Sequence, residues 1–139
     1  LTEAFDAALA RAARGLDWSY PCLIWVADYL EAEVGLDYAA EYRRFAFDEE
    51  SATRRLAKLA LEGNGTSAVE RALDGLARRF GWEERDGPRQ GAVMIGVYNA
   101  PDGEGYPGIF DGWRGWLVAF RGDASVLRVP PGRMWEIEA

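Results

Sequence analysis

Apolar residues recur three and four apart over the first part of the chain, and that spacing predicts helices. Phe5, Leu9 and Ala12 share one side of residues 2–14, with Asp6, Arg11 and Arg14 off it; this is an amphipathic helix that ends near Gly15. From Leu23 to Val34 the chain is apolar on almost every side, and only Asp28 and Glu31 mark a narrow polar strip. Such a helix belongs at the centre of a molecule, and Gly35 is its natural stop. Asp37 can cap a short helix through Tyr42 and Arg43. Asp48 or Ser51 can cap another that carries Leu56 and Leu59 as far as the Gly63-Asn64-Gly65 turn. Ser67-Ala68-Val69-Glu70 fits the capping box, in which hydroxyl and carboxylate each satisfy an orphan backbone N–H. Val69, Leu73, Leu76 and Phe80 then follow at helical spacing up to Gly81.

After Gly81 the period changes. Gly and Pro become frequent, and short apolar runs stand between turn signals, which predicts strands at Ala92–Tyr98, Gly108–Phe110, Trp116–Arg121, Ser125–Val129 and Met134–Ile137. Turns are expected at Pro101-Asp102-Gly103, Arg121-Gly122-Asp123 and Pro130-Pro131-Gly132. Helices followed by antiparallel strands give the α+β class. The expectation is one domain over residues 1–139, with a helical half (1–81) packed on a β half (82–139) of about five strands.

Composition narrows the function. At 49% hydrophobic residues the 139-residue chain can bury a substantial core, and 13% aromatic residues supply rings for a core and for a partner. A net charge of -7 argues against nucleic acid and anionic membrane, because affinity for phosphates is carried by Lys and Arg. Lys58 is the only lysine; the other basic residues are arginines, suited to planar, bidentate pairing. No apolar run is long enough for a membrane span, and residues 1–6 lack the pattern of a secretory signal, so a soluble protein made in the cytoplasm is expected. One cysteine excludes an internal disulfide. With no histidine, a zinc site is also excluded and no cofactor is expected.

That cysteine is the main chemical candidate. Trp18-Ser19-Tyr20 leads to Pro21, which suits the first turn of a helix, so Cys22 falls where a helix N-terminus would favour its thiolate. A nucleophilic thiol also needs a base, and the usual one is missing. A neutral tyrosine has too high a pKa for the task, and a nearby carboxylate would disfavour the thiolate. The plain alternative is that Cys22 is a small buried hydrophobe.

The stretch Trp18-Ser19-Tyr20-Pro21-Cys22 at the head of an apolar helix, followed by Gly35-Leu36-Asp37-Tyr38-Ala39-Ala40-Glu41-Tyr42-Arg43, resembles a small family of phage and prophage domains. These look like compact relatives of the NlpC-type, papain-like cell-wall peptidases. The strands at Gly91-Ala92-Val93-Met94-Ile95, Gly108-Ile109-Phe110-Asp111-Gly112 and Met134-Trp135-Glu136-Ile137 are similar to that family's in order. The resemblance implies a papain-like minimal fold with Cys22 at the nucleophile position and the base position near Tyr106. The family's Asp before the cysteine is Pro21 here, and the Asp after its strand-opening Gly is Ala92. The expectation is a catalytically degenerate domain with an assembly role in a phage or phage-like tail tip. Its partners would be other tail or virion proteins, with peptidoglycan contact as a further partner and the virion tail as its destination. The competing expectation is an active cell-wall peptidase using Cys22.

Three further constellations offer weaker candidates. The run Asp102-Gly103-Glu104-Gly105-Tyr106-Pro107-Gly108 fails the EF-hand template and reads as a hairpin loop, so no metal is expected. Tyr106, Trp113 and Trp116 could stack on a sugar or anchor a protein. Trp113, Arg114 and Trp116 are the expected contact residues, since aromatic and Arg side chains concentrate at interface centres. A two-carboxylate glycosidase has little to recommend it, because 23 acidic residues supply many pairs.

Overall fold

A computed structural model describes residues 3–15, 22–40, 67–101, 104–110, 115–120, 123–128 and 130–137, with backbone only at residues 22, 119, 120, 123 and 124. Among these residues the helices are α1 (Glu3–Ala13), α2 (Cys22–Val34) and α3 (Ala68–Phe80). The strands are β1 (Glu83–Arg85), β2 (Val93–Asn99), β3 (Gly105–Phe110), β4 (Trp116–Phe120), β5 (Asp123–Leu127) and β6 (Arg133–Ile137). The α+β class is as expected. The short helix expected after Asp37 is described only to Ala40, where Asp37 Oδ1 accepts from the Ala39 N–H at 3.0 Å. The helix expected from Asp48 or Ser51 lies outside the described residues.

Among the described residues the sheet has six strands in the order β1-β6-β2-β3-β4-β5, all antiparallel, where about five were expected. The additional strand is β1. Its Glu-Glu-Arg sequence has no apolar alternation to announce it, and its pairing comes from β6 at the far end of the chain. Strands β2 to β5 form a meander of consecutive neighbours, and β6 returns to lie between β1 and β2.

Strand alternation sorts the core into two layers. Ile95 pairs with both Ile109 and Trp135, and Ile109 with Leu117. These side chains form one face and join Trp25, Val26, Tyr29 and Leu30 of α2, Phe5 and Ala8 of α1, and Leu73 of α3 in a single apolar cluster. Leu30 and Leu73 are fully enclosed, and each contributes about 1.5–3 kcal/mol relative to an exposed side chain. Helix α2 is fixed to α1 by the Trp25 indole, whose Nε1–H donates to the Ala8 carbonyl at 2.8 Å. The other face carries Met94, Phe110, Trp116, Val118 and Met134. Burial on both faces explains why Val93-Met94-Ile95-Gly96-Val97 reads as one apolar run.

Two paired glycines, Gly96 and Gly108, shape that second face. A Cβ at Gly96 would lie 2.8 Å from Pro131 Cβ and 3.0 Å from Trp116 Cζ3. The Trp116 ring and the 130–132 loop therefore close directly onto the backbone here. Pro107 stands in an interior strand just beyond the β3–β4 ladder, which begins at Gly108; a proline is tolerated where a ladder ends.

At the start of α3 the Ser67 hydroxyl accepts from the Glu70 N–H at 3.1 Å, the expected N-cap. The Glu70 carboxylate accepts instead from Asn99 Nδ2, at 2.7 Å. At the far end Gly81 is left-handed (φ 72°) and closes the helix onto the Ala77 carbonyl.

Candidate functional site

Cys22 is the first residue of α2, as the position of Pro21 predicts; of Cys22 only the backbone is described. The body of α2 packs on the sheet face that carries Ile95 and Ile109. Tyr106, the residue at the base position, lies on β3 three residues before Ile109 and so points to the opposite face. There it packs with Tyr98 against the cluster of Met94, Phe110 and Trp116. Its hydroxyl donates to Glu104 Oε2 at 3.0 Å. The sheet thus separates Tyr106 from the helix that Cys22 heads, and the two expected positions are not brought together. The reason is the two-residue period of a strand, which gives 105, 107 and 109 to one face and 106, 108 and 110 to the other.

The expected contact residues also divide. Trp113 and Arg114 lie outside the described residues. Trp116 is 1% exposed, and its ring is 5.1 Å from that of Phe110. It is a core residue and not a surface anchor, because Gly96 and Gly108 leave room for an indole against the backbone. The Gly-rich run, expected as a hairpin loop, is strand from Gly105 onward, where Gly105 pairs with Asn99 of β2, and just before it the Ala100 N–H donates to the Glu104 carbonyl at 2.7 Å. Among the described residues, no group of three His, Cys, Asp or Glu side chains is placed to hold a metal ion.

Two polar clusters were not foreseen. In the first, the Arg133 guanidinium of β6 donates to Asp74 Oδ1 of α3 at 2.7 Å and to Glu84 Oε1 of β1 at 2.6 Å, with Glu70 Oε2 at 3.7 Å. It also lies 4.9 Å from the centre of the Trp135 ring. Burial pushes the Asp74 carboxyl up, but the hydrogen bond and charge of Arg133, aided by Arg78 and Arg71, outweigh it and hold the group below its ordinary value. Glu84 is lowered chiefly by its hydrogen bond from Arg133, which in turn raises the arginine. In the second cluster, Glu136 is 4% exposed and accepts from Arg89 at 2.7 Å, with Arg85 Nε at 3.5 Å. No sequence signal marks either cluster, because the partners lie tens of residues apart on different elements.

These clusters join elements to one another. Asp74 and Glu84 are held as carboxylates through neutral pH, so neither can donate a proton there as a glycosidase acid must. No protein family profile, curated protein or solved structure matches the chain at a significant level.

Proposed function

We propose that this domain is a structural, protein-binding component of a phage or phage-like tail tip, built on a papain-like scaffold that has lost catalysis. The family place and the tail-tip role rest on the resemblance of residues 18–43 and of the strands at Gly91–Ile95, Gly108–Gly112 and Met134–Ile137. The observation that carries the loss of catalysis is the placement of Tyr106 on the sheet face opposite α2, in a chain without histidine. A thiol at the head of α2 then lacks a base at the position the resemblance assigns to one. The domain's contribution is shape, with Trp113 and Arg114 as contact residues for a neighbouring tail protein and peptidoglycan as a second surface.

The competing reading, a cell-wall peptidase, draws on Cys22 being the first residue of α2, where the helix dipole favours a thiolate. One experiment separates the two. Purified protein incubated with peptidoglycan is expected to release no muropeptides, and Cys22 is expected to be alkylated slowly at neutral pH. Release that Cys22→Ser abolishes would sink the non-catalytic reading. Co-purification of the native chain is expected to recover tail proteins, and Trp113→Ala with Arg114→Ala to lose them while the domain stays folded.

A further inference from the structure

We infer that the connection between β1 and β2 is a strap latched by Arg89, and that Met94 beneath it is a thioether which peroxides oxidise when the latch opens. This goes beyond the assembly role and does not depend on it. Strands β1 and β2 run in the same direction, because each pairs antiparallel with β6 between them. β1 ends at Arg85 beside Met134, and β2 starts at Val93 beside Ile137, so residues 86–92 must run back across β6. They cross it on the face opposite the helices. There the Arg89 N–H donates to Met94 Sδ at 3.4 Å and the Arg89 guanidinium to Glu136 Oε2 at 2.7 Å, and Met94 and Glu136 stand opposite each other on β2 and β6. Met94 is fully enclosed and Glu136 almost so.

Among the described residues, these two bonds from Arg89 are the only hydrogen bonds from the strap to the strands beneath it. The Ala92 N–H, which donates to the Arg89 carbonyl at 3.1 Å, stays within the strap. Residues 86–91 are exposed and include one apolar side chain, Pro88, so little burial holds them down. Gly91, left-handed at φ 78°, makes the turn into β2. A thioether is a weak acceptor, which leaves the ion pair as the latch. The Arg89 side chain is 66% exposed, and when it lifts away Arg85 Nε remains 3.5 Å from Glu136 Oε1, so opening does not strand a buried carboxylate. The Met94 sulfur is the atom that the strap touches, and lifting the strap uncovers it first. Its lone pair then attacks one oxygen of hydrogen peroxide. The O–O bond breaks, the sulfur is oxidised by two electrons to the sulfoxide, and the other oxygen leaves as water with the proton of the transferred hydroxyl. The added oxygen has no room where the thioether was fully enclosed, so the strap stays off until a sulfoxide reductase removes it.

The test treats the purified chain with dilute hydrogen peroxide and follows its two methionines by peptide mass spectrometry. Met134, 2% exposed on the same face, is the internal control. Met94 is expected to oxidise several-fold faster than Met134. Arg89→Ala is expected to raise the Met94 rate by about tenfold, the effect of losing one charge-assisted hydrogen bond, and Glu136→Gln to raise it in the same direction, with the Met134 rate unchanged in both. In the unmodified protein, hydrogen exchange is expected to be faster at the amides of residues 89 and 92 than at those of 95 and 97, which tests the strap even if a variant fails to fold. After oxidation of Met94 the first pair should lose its remaining protection. The proposal is overturned if the two methionines oxidise at one rate, which would make global unfolding the route. It is equally overturned if Arg89→Ala leaves the Met94 rate unchanged or raises both rates alike, or if amides 89 and 92 are as protected as 95 and 97.

Discussion

Among the described residues, Arg133 is one on which several charged contacts converge. It ties α3 to β6 and β1 through Asp74 and Glu84, and it lies over the Trp135 ring. Replacing it leaves Asp74, 8% exposed, with the solvent-facing Arg78 and the charge of Arg71 as its counter-ions. Arg133→Ala is therefore expected to cost about 2 kcal/mol in urea unfolding at neutral pH. The pH dependence follows from the depressed carboxyls. Asp74 and Glu84 lie below their ordinary values of 3.8 and 4.5, so the unfolded chain takes up protons first as the solution is acidified. Stability that is present above those values is lost as pH falls through and below them. A series of urea midpoints should show this decline in the parent chain and a shallower one in Arg133→Ala; parallel curves would contradict the assignment.

At the scale of the element, much was legible because local rules and tertiary packing agreed. The α2 helix, the Ser67 cap, the Gly81 stop and the cores of the five expected strands all follow from period and turn chemistry, with bounds shifted by at most three residues. The pairs that did not follow are those made by distance along the chain. β1 exists because β6 offers it an edge, and β3 begins at Gly105 instead of Gly108 because β2 is long enough to pair with it. Which face a strand residue takes could not be read for Tyr106 or Trp116, since both faces of the sheet are apolar and alternation carries no inside and outside there. The glycines hold the missing information. At Gly96 the space for a side chain is already occupied by Pro131 and Trp116, so Gly96→Ala is expected to cost about 1–3 kcal/mol. Chemical denaturation measures it, and an unchanged midpoint would mean that the 130–132 loop moves aside at little cost.

For the molecule as a whole, the sheet is a shared wall between two apolar clusters, so neither should melt alone. Leu30→Ala removes packing on the helix side and Met134→Ala on the other, each at a cost of about 2–5 kcal/mol. Both are expected to lower one common transition, with far- and near-ultraviolet dichroism coinciding. A second, separate transition in either variant would show that the layers are independent. The candidate chemistry was less legible than the architecture. Cys22 heads the helix foreseen, whereas Tyr106, expected in a hairpin loop, stands on β3, and their relation depends on a strand register that no single stretch of sequence encodes.

The position of β6 has a consequence for how the chain reaches this state. Residues 133–137 are the last of the sheet in sequence and occupy an interior slot between β1 and β2. While the chain is being synthesised, β1 has no neighbour and β2 has an unpaired edge until those residues leave the ribosome. The order of emergence therefore delays closure of the sheet to the end of translation of this segment. Pairing over so long a separation is also slow compared with helix formation. The helices and the β2–β5 meander can assemble earlier, and they then wait for the strand that completes the wall between the two cores.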